Sequence, residues 1–229
     1  MSGKVKEGLP IRQDEIAGLF NVSKIPVREA LKRVEASGLV TIRQGDGARV
    51  QDIARTGGLD LLPRLLIRSG ALVPRVARSI IEARAAVGPE VARLAARRAT
   101  DNDLVAIRAV LDHLAAESDP IGQQVAALEF WSAVVDAGDS IAFRLMYNSL
   151  RAAYEPAVPA LAGVLEPEVG NIEGYRALVD TIAAHEPERA EVAARALLEP
   201  ATATLLAVCE ALENAETDQN TETKQGEGH

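Results

Sequence analysis

Hydrophobic residues in the first fifty positions follow a helical spacing and then form two short runs. Apolar positions recur every three or four residues over 12–20 and again over 24–37, which predicts two helices. Two runs, 39–43 and 48–50, predict short strands, and the glycines in the QGDG sequence between them favour a hairpin. A tight turn at Asn21 separates the helices. The predicted order is therefore helix, turn, helix and two-stranded hairpin.

The rest of the chain is predicted to be almost entirely helical. Residues 53–70 are expected to form a linker and a linker helix, and the polar residues 215–229 are expected to be a disordered tail. We predict a mainly α fold, in which a small winged helix-turn-helix domain at 1–52 precedes an all-α helical bundle at 71–214. The helices after the hairpin are predicted at 59–68, 73–98, 101–117, 121–137, 139–163, 168–185 and 187–213.

Composition and charge narrow the class of protein. Of the 229 residues, 48% are hydrophobic and only 3% are aromatic, so aliphatic side chains must fill the core. Residues 1–52 contain 9 Lys and Arg against 7 Asp and Glu, whereas the whole chain has a net charge of −8. An acidic body argues against nonspecific coating of nucleic acid but permits a local basic face. Cys209 is the lone cysteine, and we see no signal peptide and no uncharged apolar run of 18 residues, so a cytoplasmic protein without membrane contact is expected.

A basic stripe lies beside the apolar face of the second predicted helix. At 100° per residue, Lys24, Arg28 and Lys32 fall about a third of a turn from the apolar positions. In a winged helix-turn-helix the N-terminal end of this helix enters the DNA major groove, where Lys24 and Arg28 can reach guanine O6 and N7. A basic face that contacts only solvent stays an alternative, since charge patterning alone is a weak signal. The apolar positions are Val27, Ala30, Leu31 and Val34.

The sequence IAGLFNVSKIPVREALKRVEASGLVTIRQGDGARV (16–50) resembles the winged-helix signature of the GntR family of bacterial transcriptional regulators. The resemblance implies operator contacts from the first turn of the second helix and from the tip of the hairpin, the wing. With the basic stripe, it gives the predicted DNA-binding residues Ser23, Lys24, Ile25, Pro26, Arg28, Lys32, Gln44 and Gly45.

The chain departs from that family pattern in three ways. Lys24 stands where arginine is usual and lacks the bidentate guanidinium fork, which softens base discrimination. Asp14 stands near the position of a residue that is usually basic, so a phosphate contact is expected to be lost. The family domain also begins with a further helix, whereas only MSGKVKEGLP precedes Ile11. We therefore expect the first helix to be missing, either because the chain start lies too far downstream or because the domain is truncated.

Residues 60–213 resemble the FadR-type ligand-binding domain, a helical bundle that also dimerises the protein, most clearly in IIEARAAVGPEVARLAARRATDNDL (80–104). Many relatives hold a divalent metal in this bundle with one aspartate and three histidines. All four ligand positions are lost here, so no metal and no other cofactor is predicted. The residues at these positions, which are also the predicted effector-binding residues, are Ala127, Trp131, Tyr175 and Leu197.

The lost metal ligands are replaced by apolar or aromatic residues. Trp131 and Tyr175 each carry one polar group on a large ring, which suits a ligand with an apolar body and few polar groups. Alternatively, both rings simply fill the bundle core. The segment TGGLDLLPRLL (56–66) resembles the linker of the fatty-acid-responsive members of this group, which bind acyl-CoA without a metal. A long-chain acyl-CoA or fatty acid is therefore the first expectation, and another metal-independent small effector is the alternative.

Three classes of function follow from these features. The first is an effector-responsive regulator that binds double-stranded operator DNA as a homodimer, with recognition helices about 34 Å apart on a palindrome. An enzyme is not expected, because no GxSxG, HExxH, P-loop or Cys–His motif is present. A degenerate dimer that no longer binds DNA stays open, because the first helix is expected to be missing.

Overall fold

The computed structural model describes residues 8–43, 47–68 and 70–226. The chain divides into two compact units, residues 1–61 and residues 62–229. Among these residues, the first unit contains two helices longer than one turn and a small sheet, and the second is a helical bundle with one short hairpin. The predicted fold class, mainly α with a helix-turn-helix unit before a helical bundle, is confirmed. The predicted linker at 53–70 is divided between the units, since the boundary follows Leu61.

The first unit contains the predicted helices and hairpin together with one further strand. The described strands β1 (Pro10–Ile11), β2 (Val40–Arg43) and β3 (Gly47–Val50) form an antiparallel sheet in the order β1-β3-β2. Ile11 of β1 and Ile42 of β2 both pair with Ala48 of β3. The sequence pattern predicts neither β1 nor the short helix α3 in the expected linker. The elements are β1 (Pro10–Ile11), α1 (Gln13–Phe20), α2 (Lys24–Ala36), β2 (Val40–Arg43), β3 (Gly47–Val50), α3 (Ile53–Thr56) and a 3-10 turn (Leu59–Leu61).

A small apolar core holds the two helices of the first unit against the sheet. Val27 and Leu31 of α2 are 4% and 5% exposed, and they pack in this core with Ala17, Val40 and Ala48. Asn21 has a left-handed φ of 51° at the end of α1, so the tight turn is where it was predicted. Ala30 is exposed, which corrects its predicted place on the buried face. Burial of the remaining apolar face leaves the cationic side of α2 exposed.

The second unit is built around two long helices, α5 (Pro74–Arg98) and α11 (Pro187–Gly226), which pack along each other. Its largest fully buried side chains include Ile107, Phe130, Tyr175 and Leu197. The elements are α4 (Leu62–Leu66), β4 (Ile67–Arg68), β5 (Ala71–Leu72), α5 (Pro74–Arg98), α6 (Asp101–Ala116), α7 (Pro120–Ala137), α8 (Ile141–Tyr154), a 3-10 turn (Glu155–Ala157), α9 (Val158–Val169), α10 (Ile172–Ala183) and α11 (Pro187–Gly226).

One predicted helix of the bundle is interrupted at a place that the sequence pattern misses. The predicted helix 139–163 ends at Tyr154, because Pro156 and Pro159 lack the N–H groups that a continuous helix needs. The next helix, α9, continues through much of 163–170, where a break is predicted. Gly163 therefore lies inside α9 and does not stop it, whereas Gly170 is the C-cap residue that follows its last turn.

The last helix is longer than predicted. α11 runs to Gly226, whereas the predicted helix ends at 213 and a disordered tail is predicted from Ala215. The tail sequence contains Ala, Glu, Gln and Lys, which have high helix propensity, so a helix that already exists can extend through them. The predicted disorder is thus corrected for residues 215–226.

By length and composition alone, the segment Pro187–Thr217 of α11 is long and apolar enough to cross a membrane. The mean hydropathy of its most apolar window is 1.4. No other helix in the described part of the chain meets this test. In the fold, 39% of the apolar window is buried, and the helix packs against α5, α9 and α10. A core helix of a globular bundle meets the same test, so this feature does not itself assign a membrane span.

Candidate DNA-binding interface and effector cavity

The N-terminal turn of α2 is an exposed helix end with no acidic residue. Ser23 is the N-cap residue, yet its side chain makes no capping hydrogen bond within the described chain. The first backbone N–H groups and the positive end of the helix dipole can therefore interact with an anion such as a phosphate. The predicted contact residues on this end of the helix are all exposed: Ser23, Lys24, Ile25, Pro26, Arg28 and Lys32.

Each cation of the basic stripe has an acidic neighbour. Lys24 Nζ lies 2.8 Å from Asp14 Oδ1 on α1. Lys32 Nζ lies 3.2 Å from Glu29 Oε1, and Arg28 Nε lies 3.8 Å from the same oxygen. All five side chains are more than half exposed, so these pairs are weak and a phosphate can replace the carboxylate.

The predicted wing contacts, Gln44 and Gly45, lie outside the described residues. The strands on either side of them are paired from Val40 with Val50 to Arg43 with Gly47, as a hairpin requires. The contacts of the wing tip with DNA stay a prediction.

A mostly apolar cavity of about 430 Å³ lies inside the second unit. Aliphatic side chains from several helices form most of its wall, among them Ile81, Val135, Leu165 and Leu205. This volume is within the range of small-molecule sites, about 300–1,000 Å³. The polar and aromatic side chains in the wall are Arg84, Gln124, Trp131, Tyr147, Arg151, Tyr154 and Glu168.

Arg84 of α5 and Glu168 of α9 form an ion pair in the cavity wall. The guanidinium Nη2 donates a hydrogen bond to Glu168 Oε1, and the Glu168 side chain is only 3% exposed. Burial raises the pKa of Glu168, while the charge and the hydrogen bond of Arg84 oppose that rise. Arg84 Nη1 and Glu168 Oε2 are buried and have no hydrogen-bond partner among the described residues. The pair thus keeps one unused donor and one unused acceptor.

A second polar contact in the wall joins α7 and α8. Tyr154 Oη donates a hydrogen bond to Gln124 Oε1 at 2.6 Å, and burial raises the pKa of Tyr154. The Gln124 amide nitrogen is buried without a partner in the described part of the chain. Burial also raises the pKa of Tyr147 to about 12, so both phenols are protonated at neutral pH.

The Phe130 ring contacts both Trp131 and Tyr175. Its centroid is 6.0 Å from the Trp131 ring and 4.8 Å from the Tyr175 ring, and both contacts are edge-to-face. Within the described residues, Trp131 Nε1 and Tyr175 Oη have no partner of normal hydrogen-bond geometry. Burial raises the pKa of Tyr175 well above its usual value and Glu168 adds to the rise, whereas Arg84 and then the Trp131 N–H oppose it.

The predicted effector residues are divided between the cavity wall and the core behind it. Trp131 and Ala127 line the cavity. Tyr175 and Leu197, which are 0% and 1% exposed, belong to the main core of the bundle and are not among the lining residues. A role for all four in effector binding stays a prediction.

Sequence reasoning misses the charged residues of the wall. Arg84 lies three positions after Ile81, and Glu168 lies three positions after Leu165, so each falls in the apolar stripe of its helix. A charge inside an apolar stripe is the signal that could have found them. Glu129 and Asp180, which lie near Trp131 and Tyr175 in the sequence, are exposed instead.

The residues at the metal-ligand positions of the related domains do not fit a metal ion. Ala127 and Leu197 have no ligating atom, and the Trp131 indole nitrogen carries a proton and cannot coordinate. The raised pKa of Tyr175 disfavours its phenolate form. Among the described residues, no group of three or more His, Cys, Asp or Glu side chains could hold a metal ion.

An exposed helix-turn-helix end and a cavity inside a separate helical bundle define a DNA-binding regulator with a ligand-binding unit. Residues 1–50 match the bacterial regulatory proteins of the gntR family, and residues 79–200 match the FCD domain. The chain belongs to the GntR family of transcriptional regulators, which bind DNA through the helix-turn-helix and small-molecule effectors through the FCD domain. It is therefore a regulator and not an enzyme.

Relatives and solved structures agree with this assignment. The chain is 47% identical over 202 residues to the HTH-type transcriptional regulator Mce2R of Mycobacterium tuberculosis, a match that covers 88% of this chain and 84% of the relative. It is 25% identical over 123 residues to the Fatty acid metabolism regulator protein of Vibrio vulnificus, covering 54% of this chain and 41% of that protein. Streptococcus agalactiae GntR has the same fold, with a TM-score of 0.52 and 19% identity over 87% of this chain and 91% of that chain.

Proposed function

We propose that this regulator is a cytoplasmic homodimer that binds a palindromic operator, and that a long-chain acyl-CoA or fatty acid in the cavity controls this binding without a metal. The observation that carries the effector part is the cavity itself, whose wall is apolar apart from a few polar side chains. Another metal-independent small effector is the alternative.

The exposed end of α2 supports the DNA-binding part of the proposal. Ser23 and the first N–H groups of the helix contact phosphate, while Lys24 and Arg28 reach base edges in the major groove. Two copies of this helix about one DNA turn apart, roughly 34 Å, read the two halves of a palindrome. Gln44 and Gly45 at the wing tip contact the adjacent minor groove.

The cavity supports a lipid-like effector, since burying an apolar chain against aliphatic walls is favourable and few polar groups must be satisfied. A relative in Vibrio vulnificus is named for fatty acid metabolism, which agrees with this class of ligand. The effector changes operator affinity only to the extent that it binds more tightly to one pose of the two helix-turn-helix units than to the other.

Replacing Asp14 with asparagine is expected to tighten operator binding by up to about fivefold at low salt. The substitution removes the carboxylate that holds Lys24 at 2.8 Å and leaves the ammonium group free to meet a phosphate. A fluorescence-anisotropy titration with a duplex from the protein's own promoter measures the change. Glu15→Gln removes the same charge about 100° around α1 and is the control. Equal effects of the two variants would contradict the specific role of Asp14.

Palmitoyl-CoA is expected to release the protein from this duplex and to quench the fluorescence of Trp131, the only tryptophan in the chain. Trp131 lines the cavity, so a bound acyl chain changes the surroundings of the indole. Titration of the full-length protein with palmitoyl-CoA, in the presence and absence of EDTA, gives both signals.

Unchanged results in EDTA are expected, because the proposal involves no metal. Quenching and release that depend on a metal would overturn the metal-independent mechanism. No response to palmitoyl-CoA would favour a different small effector.

A further inference from the structure

The Arg84–Glu168 pair presents hydrogen-bonding groups of both kinds in the wall of an otherwise apolar cavity. The pair uses Arg84 Nη2 and Glu168 Oε1 for its own contact. It leaves Arg84 Nη1 as a donor and Glu168 Oε2 as an acceptor, both buried and without partners in the described part of the chain. An unused buried polar atom is unfavourable, so a ligand that satisfies both atoms gains affinity that a hydrocarbon cannot.

The charges around this pair are balanced. Glu168 compensates the guanidinium of Arg84. Arg151, the other cation among the residues described in the wall, has a hydrogen bond of 2.6 Å from its Nε to Glu155 Oε1. A ligand carboxylate placed here would therefore lose its hydration without gaining an uncompensated cation, and it would lie near the unused oxygen of Glu168.

The other unpartnered polar side-chain atoms of the described wall residues carry no charge. The Gln124 amide nitrogen and Trp131 Nε1 are neutral donors without normal partners among the described residues. The Tyr154 hydroxyl is already used in its contact with Gln124. These groups can accommodate an oxygen acceptor, but they do not supply the positive charge that an anion requires.

We infer that the Arg84–Glu168 pair selects long-chain ligands with an uncharged head group and excludes long-chain carboxylates. A hydroxyl fits both unused atoms, because it accepts from Arg84 Nη1 and donates to Glu168 Oε2. An ester or thioester carbonyl satisfies only Arg84, and a carboxylate is opposed by Glu168. This inference rests on the proposed binding of a lipid-like effector in the cavity, and of the two proposed effectors it favours the acyl-CoA thioester over the free fatty acid. It predicts the order alcohol, then ester, then carboxylate for chains of equal length.

Binding of dodecanol, methyl laurate and laurate to the full-length protein tests this order. The fluorescence of Trp131 is followed during each titration, and the thermal midpoint at saturating ligand gives an independent signal. Dodecanol is expected to bind at least about tenfold more tightly than laurate, with methyl laurate between them.

The Glu168→Gln variant is expected to reverse this preference. The amide keeps the size of the side chain but removes its charge, so Arg84 becomes an uncompensated cation in the cavity wall. The affinity for laurate, relative to dodecanol, should then rise at least about tenfold. Glu166→Gln, an exposed position two residues earlier on α9, removes the same charge outside the cavity and should keep the wild-type order. Circular dichroism of both variants checks that the bundle stays folded.

The outcomes separate this inference from the proposed function. Laurate binding as tight as dodecanol binding in the wild-type protein would overturn the inference while leaving a lipid effector in place. An unchanged preference in a folded Glu168→Gln variant would overturn it as well. If neither the three probes nor palmitoyl-CoA changes the fluorescence or the thermal midpoint, the lipid effector and the inference both fail. A Glu168→Gln variant that does not fold leaves the wild-type order of the three ligands as the deciding result.

Discussion

Replacing Arg28 with alanine is expected to weaken binding to the operator by about 1–3 kcal/mol, or roughly 5- to 150-fold. The Arg28 guanidinium is more than half exposed on the first turns of α2, and its neighbour Glu29 is a weak surface partner at 3.8 Å. A bidentate contact with guanine in the major groove would be lost with the side chain. Fluorescence anisotropy at one fixed salt concentration measures the loss on a promoter duplex and on an unrelated duplex.

The same measurement on Arg33→Ala provides a matched control. Arg33 is an exposed arginine of the same helix, about 140° around the axis from Arg28. Its loss should affect both duplexes slightly and equally, whereas the loss at Arg28 should be confined to the operator. Equal losses on both duplexes for Arg28→Ala would assign it to phosphate contact, and no loss would place the DNA interface elsewhere.

The helix-turn-helix could be predicted from spacing because local pattern and packing agree there. Val27 and Leu31 repeat at helical spacing, and both are buried in the core of their own unit. The strand β1 and the β4–β5 hairpin could not be predicted in this way, since two-residue strands have no measurable periodicity and exist only through their partners. The break before α9 is not predicted from the sequence. Proline is common in the first turn of a helix, so Pro156 and Pro159 are compatible with a helical pattern, but their missing N–H groups also end α8.

The candidate effector site could be predicted only in part. Family resemblance leads to Trp131 and Ala127 in the wall, but it also selects Tyr175, whose ring lies in the core behind. Arg84 and Glu168 are 84 positions apart on different helices, so no local spacing brings them together. Each is visible as a charge in an apolar stripe, yet the two side chains meet only because α5 and α9 both pack against α7 and α11. The polar part of the cavity wall is thus determined by tertiary packing and not by local sequence.

Replacing Phe130 with alanine is expected to lower the free energy of unfolding of the second unit by about 3–5 kcal/mol. Phe130 is fully buried, and its ring contacts both Trp131 and Tyr175 edge-to-face, so the truncation removes apolar contact on two sides and leaves a void. Urea unfolding followed by Trp131 fluorescence reports the second unit, because the chain has no other tryptophan.

Phe20→Ala is the control, since Phe20 is 68% exposed in the first unit and its loss should leave this transition unchanged. A loss below about 1 kcal/mol for Phe130→Ala would mean that neighbouring side chains collapse into the void, and that Trp131 and Tyr175 are not held in place by their contacts with the Phe130 ring.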